Sequence, residues 1–365
     1  MKIKTATTVA LLLLSLPAFL IAQDRVLVIS GGGARGAWGG GLAQALHDSG
    51  KDYRAVIGTS TGSLLAPMVV IDSFSRLEEA YTHVTHKDIF NVRPFYTKGR
   101  KKGQVRGFNA FWRIITGRKT LGESKRLRKT IMTYFTEAEF NAITQSPDSL
   151  EVIATIVNLQ ADSVEYKSSR DFGYEQMVDW IWASANQPVF MSLYKFRDEQ
   201  GERDYYADGG VKENVPIRQA IMKAREIGAS EIDVIIHSTD RPQLDPMQKL
   251  RVLKLLARTI DLFSTEVREN DVDIARLLGR VTELGQLSEE VEGIRVTVYY
   301  MPPEDYNKIP NSLLFEKEKM TELWASGQNF LKRMDLDQYR FEYIIDQGSI
   351  VPVEMSTGPI FERNK

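Results

Sequence analysis

The chain has 365 residues, of which 43% are hydrophobic and 26% charged, which excludes large-scale disorder and predicts a globular protein with an ample core. Its 47 basic and 48 acidic residues give a net charge of -1, so net charge gives no argument for a nucleic-acid partner. The absence of cysteine excludes disulfides, thiolate metal ligands and an acylated lipoprotein cysteine.

The first 22 residues have the plan of a secretory signal peptide. Lys2 and Lys4 precede an apolar run from Val9 to Ala22, and polar residues begin at Gln23. The run is shorter than the roughly 20 apolar residues of a membrane-spanning helix, so an uncleaved N-terminal anchor is the weaker alternative. We therefore expect residues 1–22 to be a signal peptide and the protein to be exported, either periplasmic, outer-membrane-associated or secreted.

The first predicted strand, Arg25–Ser30, leads into the glycine loop Gly31–Gly36 (GGGARG) and then a helix. The loop satisfies the Gly-x-Gly-x-x-Gly spacing of dinucleotide-binding folds, which also require an acidic residue at the end of the second strand. Asp52 has the right separation but precedes the second strand, Arg54–Ile57. The other use of the loop is chemical, because backbone N–H groups free of side chains can converge on an oxyanion.

The second strand runs into Gly58–Gly62 (GTSTG), and a helix follows. A Gly-x-Ser-x-Gly between a strand and a helix is typical of a nucleophile elbow, in which a tight turn lifts the hydroxyl of Ser60 above the sheet. By itself the pattern equally describes a glycine-flanked serine that caps a helix. Because crossovers between parallel strands are right-handed, we expect the glycine loop and Ser60 to be neighbours at one sheet edge.

Residues 98–129, here called the basic segment, contain twelve Lys or Arg and one acid, Glu123. Aromatic and aliphatic residues such as Phe108, Phe111 and Trp112 are interleaved with these cations. This combination favours transient contact with an anionic membrane surface. The alternative is a solvated surface whose aromatic residues belong to the core. We expect no nucleic-acid partner, because export removes the usual target.

The remaining chain alternates between strands and helices. We predict strands at Glu151–Leu159, Ile232–Ile236 and Ile294–Tyr300, and helices at Tyr174–Ala185, from about Ile217, from Met247 to about Val267, onward to about Val291, and at Glu316–Met334. The alternation predicts an α/β fold of three α/β/α layers with a mostly parallel central sheet. We assign residues 23–335 to one domain, with its motifs in 25–220 and an extension in 221–335, and 336–365 to a weakly patterned tail.

A third motif, Asp208-Gly209-Gly210, is an ordinary turn when it is taken alone. The ordered set Gly-Gly-Gly-x-Arg-Gly, Gly-x-Ser-x-Gly and Asp-Gly-Gly, however, resembles the patatin-like phospholipase family. The resemblance is strong from Arg25 to about Pro216, where it includes Ala183–Phe190, and it is looser to about Met334.

The resemblance implies a lipid acyl hydrolase of phospholipase A or lysophospholipase type, with a lipid as substrate. It implies Ser60 as the nucleophile and Asp208 as its partner in a Ser-Asp dyad that forms an acyl-serine intermediate. The oxyanion loop that it implies comprises Gly31, Gly32, Gly33 and Arg35. The other motif glycines are Gly36, Gly58, Gly62, Gly209 and Gly210.

No cofactor is implied by the resemblance, and no spacing among His47, His83 and His86 predicts a metal site. Ser30 and Thr61 depart from common family residues, but neither departure removes a catalytic group.

Alternatives to the dyad remain open. Ser60, Asp208 and His237 occur in the order of an α/β-hydrolase triad, so a triad esterase or protease is the enzymatic alternative. The non-enzymatic alternative is an inactive lipid-binding or dinucleotide-binding domain. We expect His237 to support the site without joining the reaction, and Arg35 to fix the loop, to meet an anionic headgroup or to lie at the surface.

Overall fold

The computed structural model describes residues 24–197, 201, 203–239, 267, 293–346 and 349–352. In this part of the chain one sheet contains the strands β1 (Arg25–Ile29), β2 (Ala55–Thr59), β3 (Glu151–Asn158), β4 (Ser163–Ser168), β5 (Tyr194–Arg197), β6 (Arg203–Asp208), β7 (Glu231–Ile236), β8 (Ile294–Tyr300), β9 (Arg340–Asp346) and β10 (Ser349–Pro352). The strand order is β10-β9-β8-β7-β1-β2-β3-β6-β5, and β4 pairs with β3.

The helices cover both faces of this sheet. They are α1 (Gly36–Asp48), α2 (Thr61–Val70), α3 (Phe74–His83), α4 (His86–Ile89), α5 (Gly107–Ile115), α6 (Lys125–Tyr134), α7 (Glu137–Thr144), α8 (Tyr174–Ser184), α9 (Ile217–Ile227), α10 (Pro303–Tyr306) and α11 (Lys317–Gln328). No helix within the described ranges has both the length and the apolar character of a transmembrane span.

The five central strands, β8, β7, β1, β2 and β3, are mutually parallel, as the sequence predicts. Both faces of β1 are buried, which explains its continuous apolar run. Leu27 and Ile29 pack in the core that contains Trp38 of α1, whereas Val26 and Val28 pack in the core on the α9 side. The fold is therefore the predicted three-layer α/β/α arrangement.

The edges of the sheet differ from the sequence prediction. The segment expected to be a weakly patterned tail supplies β9 and β10, and β9 pairs antiparallel with β8. Residues 340–345 (RFEYII) pair with residues 294–299 of β8, which would otherwise present unpaired backbone groups at that edge. On the other side, β4, β5 and β6 are also antiparallel to their neighbours.

Two strands meet end to end along one edge of β3. Thr59, the last residue of β2, lies opposite Thr155, and Asp208, the last residue of β6, lies opposite the next residue, Ile156. The other edge of β3 is occupied by β4 over these positions, so β2 and β6 share one edge and run towards each other. This meeting point brings together Ser60 and Asp208, which are 148 residues apart in the chain.

Two predicted features fall outside the described residues. The predicted signal peptide, residues 1–22, is one of them. The helices predicted between Met247 and about Val291 are the other, except for the single position 267.

Candidate active site

Ser60 occupies a strained turn between β2 and α2, with φ 56° and ψ -120°. A positive φ is unfavourable for a residue with a side chain, and such strain is found at functional turns. A Cβ on Gly58 would lie 2.2 Å from the carbonyl carbon of Gly62, and a Cβ on Gly62 would lie 2.0 Å from the carbonyl oxygen of Ile29. Both glycines are therefore required by close backbone approach, and the turn has the geometry of a nucleophile elbow.

The hydroxyl of Ser60 donates a hydrogen bond of 2.6 Å to Oδ2 of Asp208. The other carboxylate oxygen, Oδ1, accepts a hydrogen bond of 2.8 Å from the N–H group of Gly210. Asp208 is 6% exposed and forms no ion pair with a basic residue of the described chain. Burial raises the pKa of Asp208 to about 6, although the hydrogen bonds from Ser60 and Gly210 oppose this rise.

The glycine loop lies beside Ser60, but only part of it has free donors. The N–H group of Gly31 donates to Oδ1 of Asn214 at 2.7 Å, and that of Arg35 donates to the carbonyl oxygen of Gly32 at 3.2 Å. Among the described residues, nothing accepts a hydrogen bond from the N–H groups of Gly32 and Gly33, and both residues line the same cavity as Ser60. Of the predicted loop, these two residues hold the N–H groups available to an oxyanion.

Arg35 is buried and contacts residues 306–310. Its Nε donates to the carbonyl oxygen of Ile309 at 3.0 Å, and its Nη2 donates to that of Pro310 at 3.1 Å. The guanidinium carbon lies 3.8 Å from the ring centroid of Tyr306. These contacts connect the glycine loop to residues 306–310. Of the three expected roles of Arg35, they favour the one in which it fixes the loop.

His237 is fully buried behind the glycine loop. Its Nδ1 lies 2.9 Å from the carbonyl oxygen of Ser30, and since a carbonyl only accepts, this nitrogen carries a proton in that contact. A Cβ on Gly32 would lie 2.4 Å from Cβ of His237, and a Cβ on Gly39 would lie 1.9 Å from its Nε2. Within the described residues, His237 forms hydrogen bonds with Ser30 and none with Ser60 or Asp208.

Three contacts near Ser60 were not predicted from the sequence. The N–H group of Ser60 donates to Oγ of Ser184 at 3.0 Å, and Ser184 in turn donates to the carbonyl oxygen of Thr155 at 2.7 Å. Oγ1 of Thr61 hydrogen-bonds to the hydroxyl of Tyr81 at 2.5 Å. Ser184 lies in the Ala183–Phe190 segment that supports the family resemblance, so its position was signalled although its contact was not.

A cavity of about 670 Å³ opens beside Ser60 and Asp208. Most of its wall is aliphatic or aromatic, and it includes Leu64, Met68, Leu77, Ile131, Val189 and Leu313. This volume lies within the range of roughly 300–1,000 Å³ that is usual for small-molecule sites. The arrangement presents a hydroxyl and a carboxylate at the wall of an apolar chamber.

Asp52 lies at the wrong end of the sheet for a dinucleotide site. It precedes β2, whereas the glycine loop follows the carboxyl end of the parallel strand β1. Asp52 is exposed and contacts His47 at 2.9 Å. With Asp72, these two residues bring ligand atoms within 4.8 Å of one another, although exposed acidic groups commonly form such clusters without an ion.

A known family model spans all three motifs of the chain. Residues 27–221 match the family model described as patatin-like phospholipase. The crystal structure of VipD from Legionella pneumophila aligns with a TM-score of 0.40 and 13% identity, over 88% of this chain and 68% of that chain. No curated protein matches the chain in a sequence search.

Proposed function

Since the chain belongs to the patatin-like phospholipase family, whose activity is lipid acyl hydrolysis, we propose that it cleaves fatty-acyl esters through a Ser60–Asp208 dyad. The observation that carries this proposal is the 2.6 Å hydrogen bond from Ser60 to Asp208 at the wall of an apolar cavity. The proposed substrates are phospholipids or lysophospholipids, because such a wall suits an acyl chain while the ester reaches Ser60.

The proposed chemistry begins with proton transfer. An aliphatic hydroxyl is a poor nucleophile unless a base accepts its proton during attack, and Asp208 lies within hydrogen-bond reach of that proton. Because the pKa of Asp208 is raised to about 6, its carboxylate is ionised at neutral pH and is more basic than an exposed aspartate. Attack of Ser60 on the ester carbonyl forms a tetrahedral intermediate and protonates Asp208.

The negative charge of the intermediate needs donors that are already in place. The N–H groups of Gly32 and Gly33 are suited to this role because no described residue accepts from them. The helix α2 begins directly after Ser60, so its amino end adds a favourable dipole. In this proposal Arg35 and Asn214 hold the loop in position.

Collapse of the intermediate completes acylation. The C–O bond of the ester breaks, the proton on Asp208 passes to the leaving alkoxide, and the acyl group stays on Ser60. In the second half Asp208 accepts a proton from water, whose oxygen attacks the acyl-serine carbonyl to form a second tetrahedral intermediate. When the bond from the acyl carbon to Oγ of Ser60 breaks, Asp208 returns the proton to Ser60 and a fatty acid leaves. One carboxylate therefore serves as base and acid in both halves of the reaction.

The triad alternative receives less support. His237 contacts Ser30 and packs against Gly32 of the glycine loop and Gly39 of α1. These contacts favour a positioning role, because they support the glycine loop and not the nucleophile. A dinucleotide-binding role lacks a ribose partner, because Asp52 lies at the opposite end of the strands. Export remains our proposal for the location of the protein, and it rests on the predicted signal peptide.

Hydrolysis of a short-chain chromogenic ester tests the dyad, and mass spectrometry of the products from phospholipid and lysophospholipid tests the substrate class. We expect Ser60→Ala and Asp208→Ala each to lose at least roughly 10³-fold in kcat/KM, and the double variant to lose little more, because the two residues act as a unit.

Ser73→Ala is the matched control, because Ser73 precedes α3 and its side chain makes no capping hydrogen bond. Full activity of Ser60→Ala, or no ester hydrolysis by the pure wild-type protein, would contradict the proposal.

A further inference from the structure

The helix α5 exposes an unusual amount of apolar surface. Five large apolar side chains on this helix are between 50% and 76% exposed, namely Phe108, Phe111, Trp112, Ile114 and Ile115. Ala110 is the buried residue of the helix, and Arg113 turns back to donate to the carbonyl oxygen of Thr120 at 2.6 Å. The rings of Phe108 and Phe111 both contact the ring of Trp112, so these side chains form one apolar surface. An exposed apolar surface of this kind is typical of an interaction site.

Cations flank this surface on both sides. Residues 98–119 include eight Lys or Arg and no Asp or Glu. Lys98, Arg100, Lys101 and Arg106 precede or begin the helix, and Arg118 and Lys119 follow it. No carboxylate of the described chain forms an ion pair with any of these six residues, although Nζ of Lys119 lies 3.4 Å from the ring centroid of Tyr205. An external anionic partner can therefore neutralise their charges.

The segment that carries α5 is joined to the wall of the catalytic cavity. On one side, the N–H group of Leu121 donates to the carbonyl oxygen of Val189 at 2.7 Å, and Val189 lines the cavity. On the other side, Lys102 forms an ion pair with Glu316, next to the cavity-lining Phe315. A partner bound to α5 therefore lies close to the proposed lipid chamber.

We propose that the exposed face of α5 inserts into the interface of an anionic lipid bilayer, with the flanking cations on the headgroups. Aromatic and aliphatic residues enter the acyl boundary while Lys and Arg neutralise surface charge. A second copy of the chain fits this surface poorly, because a symmetric contact would bring two sets of unpaired cations together. This docking rests on the proposed function, because it would bring the active site to its lipid substrate. Binding to vesicles can nevertheless be measured without ester hydrolysis.

Trp112 provides a direct optical readout. Of the five tryptophans, Trp38, Trp180, Trp182 and Trp324 are buried, and Trp112 is 50% exposed. A change in tryptophan emission on adding vesicles therefore reports on α5. The measurement uses the Ser60→Ala full-length protein with phosphatidylcholine vesicles, with and without phosphatidylglycerol, so that the lipid stays intact.

We expect anionic vesicles to shift the emission to shorter wavelength and to sediment the protein, with binding that weakens as salt increases. Measured by sedimentation, Phe111→Ser/Trp112→Ser should bind at least about tenfold more weakly, as should Arg100→Glu/Lys101→Glu. The matched controls are Met222→Ser, an exposed apolar residue on α9, and Lys317→Glu/Lys332→Glu, exposed cations outside the basic segment. Circular dichroism checks that every variant is folded.

Three outcomes would overturn the proposal. The first is equal vesicle binding by the α5 variants and the controls. The second is no binding to anionic vesicles by the Ser60→Ala protein with an unchanged α5. The third is a protein dimer that Phe111→Ser/Trp112→Ser abolishes, with no vesicle binding by either protein. None of these outcomes changes the ester-hydrolysis test of the dyad, so failure of docking and failure of the dyad are distinguishable.

Discussion

Asp208 and Asp233 are both buried, at 6% and 1% exposure, but their surroundings are opposite. Asp233 in β7 receives Nζ of Lys51 at 2.8 Å and 3.0 Å, and the hydroxyl of Tyr53 at 2.9 Å. Asp208 receives a hydroxyl and one backbone N–H group, and no cation of the described chain. The first arrangement neutralises a buried charge, whereas the second leaves a carboxylate that is costly to ionise and ready to accept a proton.

The two surroundings suit two different roles, a structural one for Asp233 and a catalytic one for Asp208. A buried carboxylate whose charge is neutralised by a hydrogen-bonded lysine suits a structural position. A carboxylate without a cation has a raised pKa and pulls a proton from a neighbouring hydroxyl, at the expense of folding free energy. We interpret Asp233 as a structural residue and Asp208 as the base, and each interpretation can be tested by changing the partners.

The largest expected effect comes from giving Asp233 the surroundings of Asp208. Lys51→Met leaves the buried carboxylate without a cation and should lower the free energy of unfolding by about 3–5 kcal/mol at neutral pH. Urea denaturation measures this loss, and Lys51→Met/Asp233→Asn should recover part of it. Asp162→Asn, which removes an exposed ion pair with Lys212, is the control and should cost less than about 1 kcal/mol. No recovery in the double variant would contradict the structural role.

Removing the carboxylate of Asp208 should raise the free energy of unfolding at neutral pH, whereas Lys51→Met should lower it. Its folded pKa of about 6 exceeds the ordinary value of 3.8, so the folded protein binds this proton more tightly than the unfolded chain. Stability therefore falls as the pH rises from about 4 to about 6, and the cost above this window is at most about 3 kcal/mol. Asp208→Asn should raise the free energy of unfolding at pH 7 and match the wild type near pH 4. A loss of stability at pH 7 would show that Asp208 is structural.

His237 decides whether Asp208 works without an imidazole. His237→Ala should loosen the glycine loop and lower kcat by up to roughly 10²-fold, because small displacements of oxyanion donors are costly. His237→Asn should retain more activity, since its amide can donate to the carbonyl oxygen of Ser30. Steady-state kinetics on a soluble ester measures both variants. If His237→Ala were as inactive as Ser60→Ala while remaining folded, a triad would replace the dyad.

The smallest effect is the pH dependence of hydrolysis. The base must be ionised, so kcat/KM should be constant above the raised pKa of about 6 and fall about tenfold per pH unit below it. A pH profile with a short-chain ester measures this, in a range where the protein stays folded by circular dichroism. A midpoint near the ordinary aspartate value would contradict the desolvated environment of Asp208.

Much of the architecture follows from the sequence alone. The apolar runs predict β1, β2, β3, β7 and β8, and the structure confirms each within two residues. The antiparallel strands β5, β6 and β9 are harder to predict, because they acquire their orientation from partners that are distant in the chain. The same reason explains why residues 340–346 were expected to lie in a tail.

The sequence by itself determined the motif residues, because Gly58 and Gly62 leave no room for side chains and their spacing fixes the position of Ser60. Only the tertiary structure decided how these residues meet. The antiparallel approach of β6 towards β2 brings Asp208 to Ser60, and the burial of that meeting point raises the pKa of Asp208. Pairing between distant strands and desolvation depend on the whole packed core, which local sequence patterns do not encode.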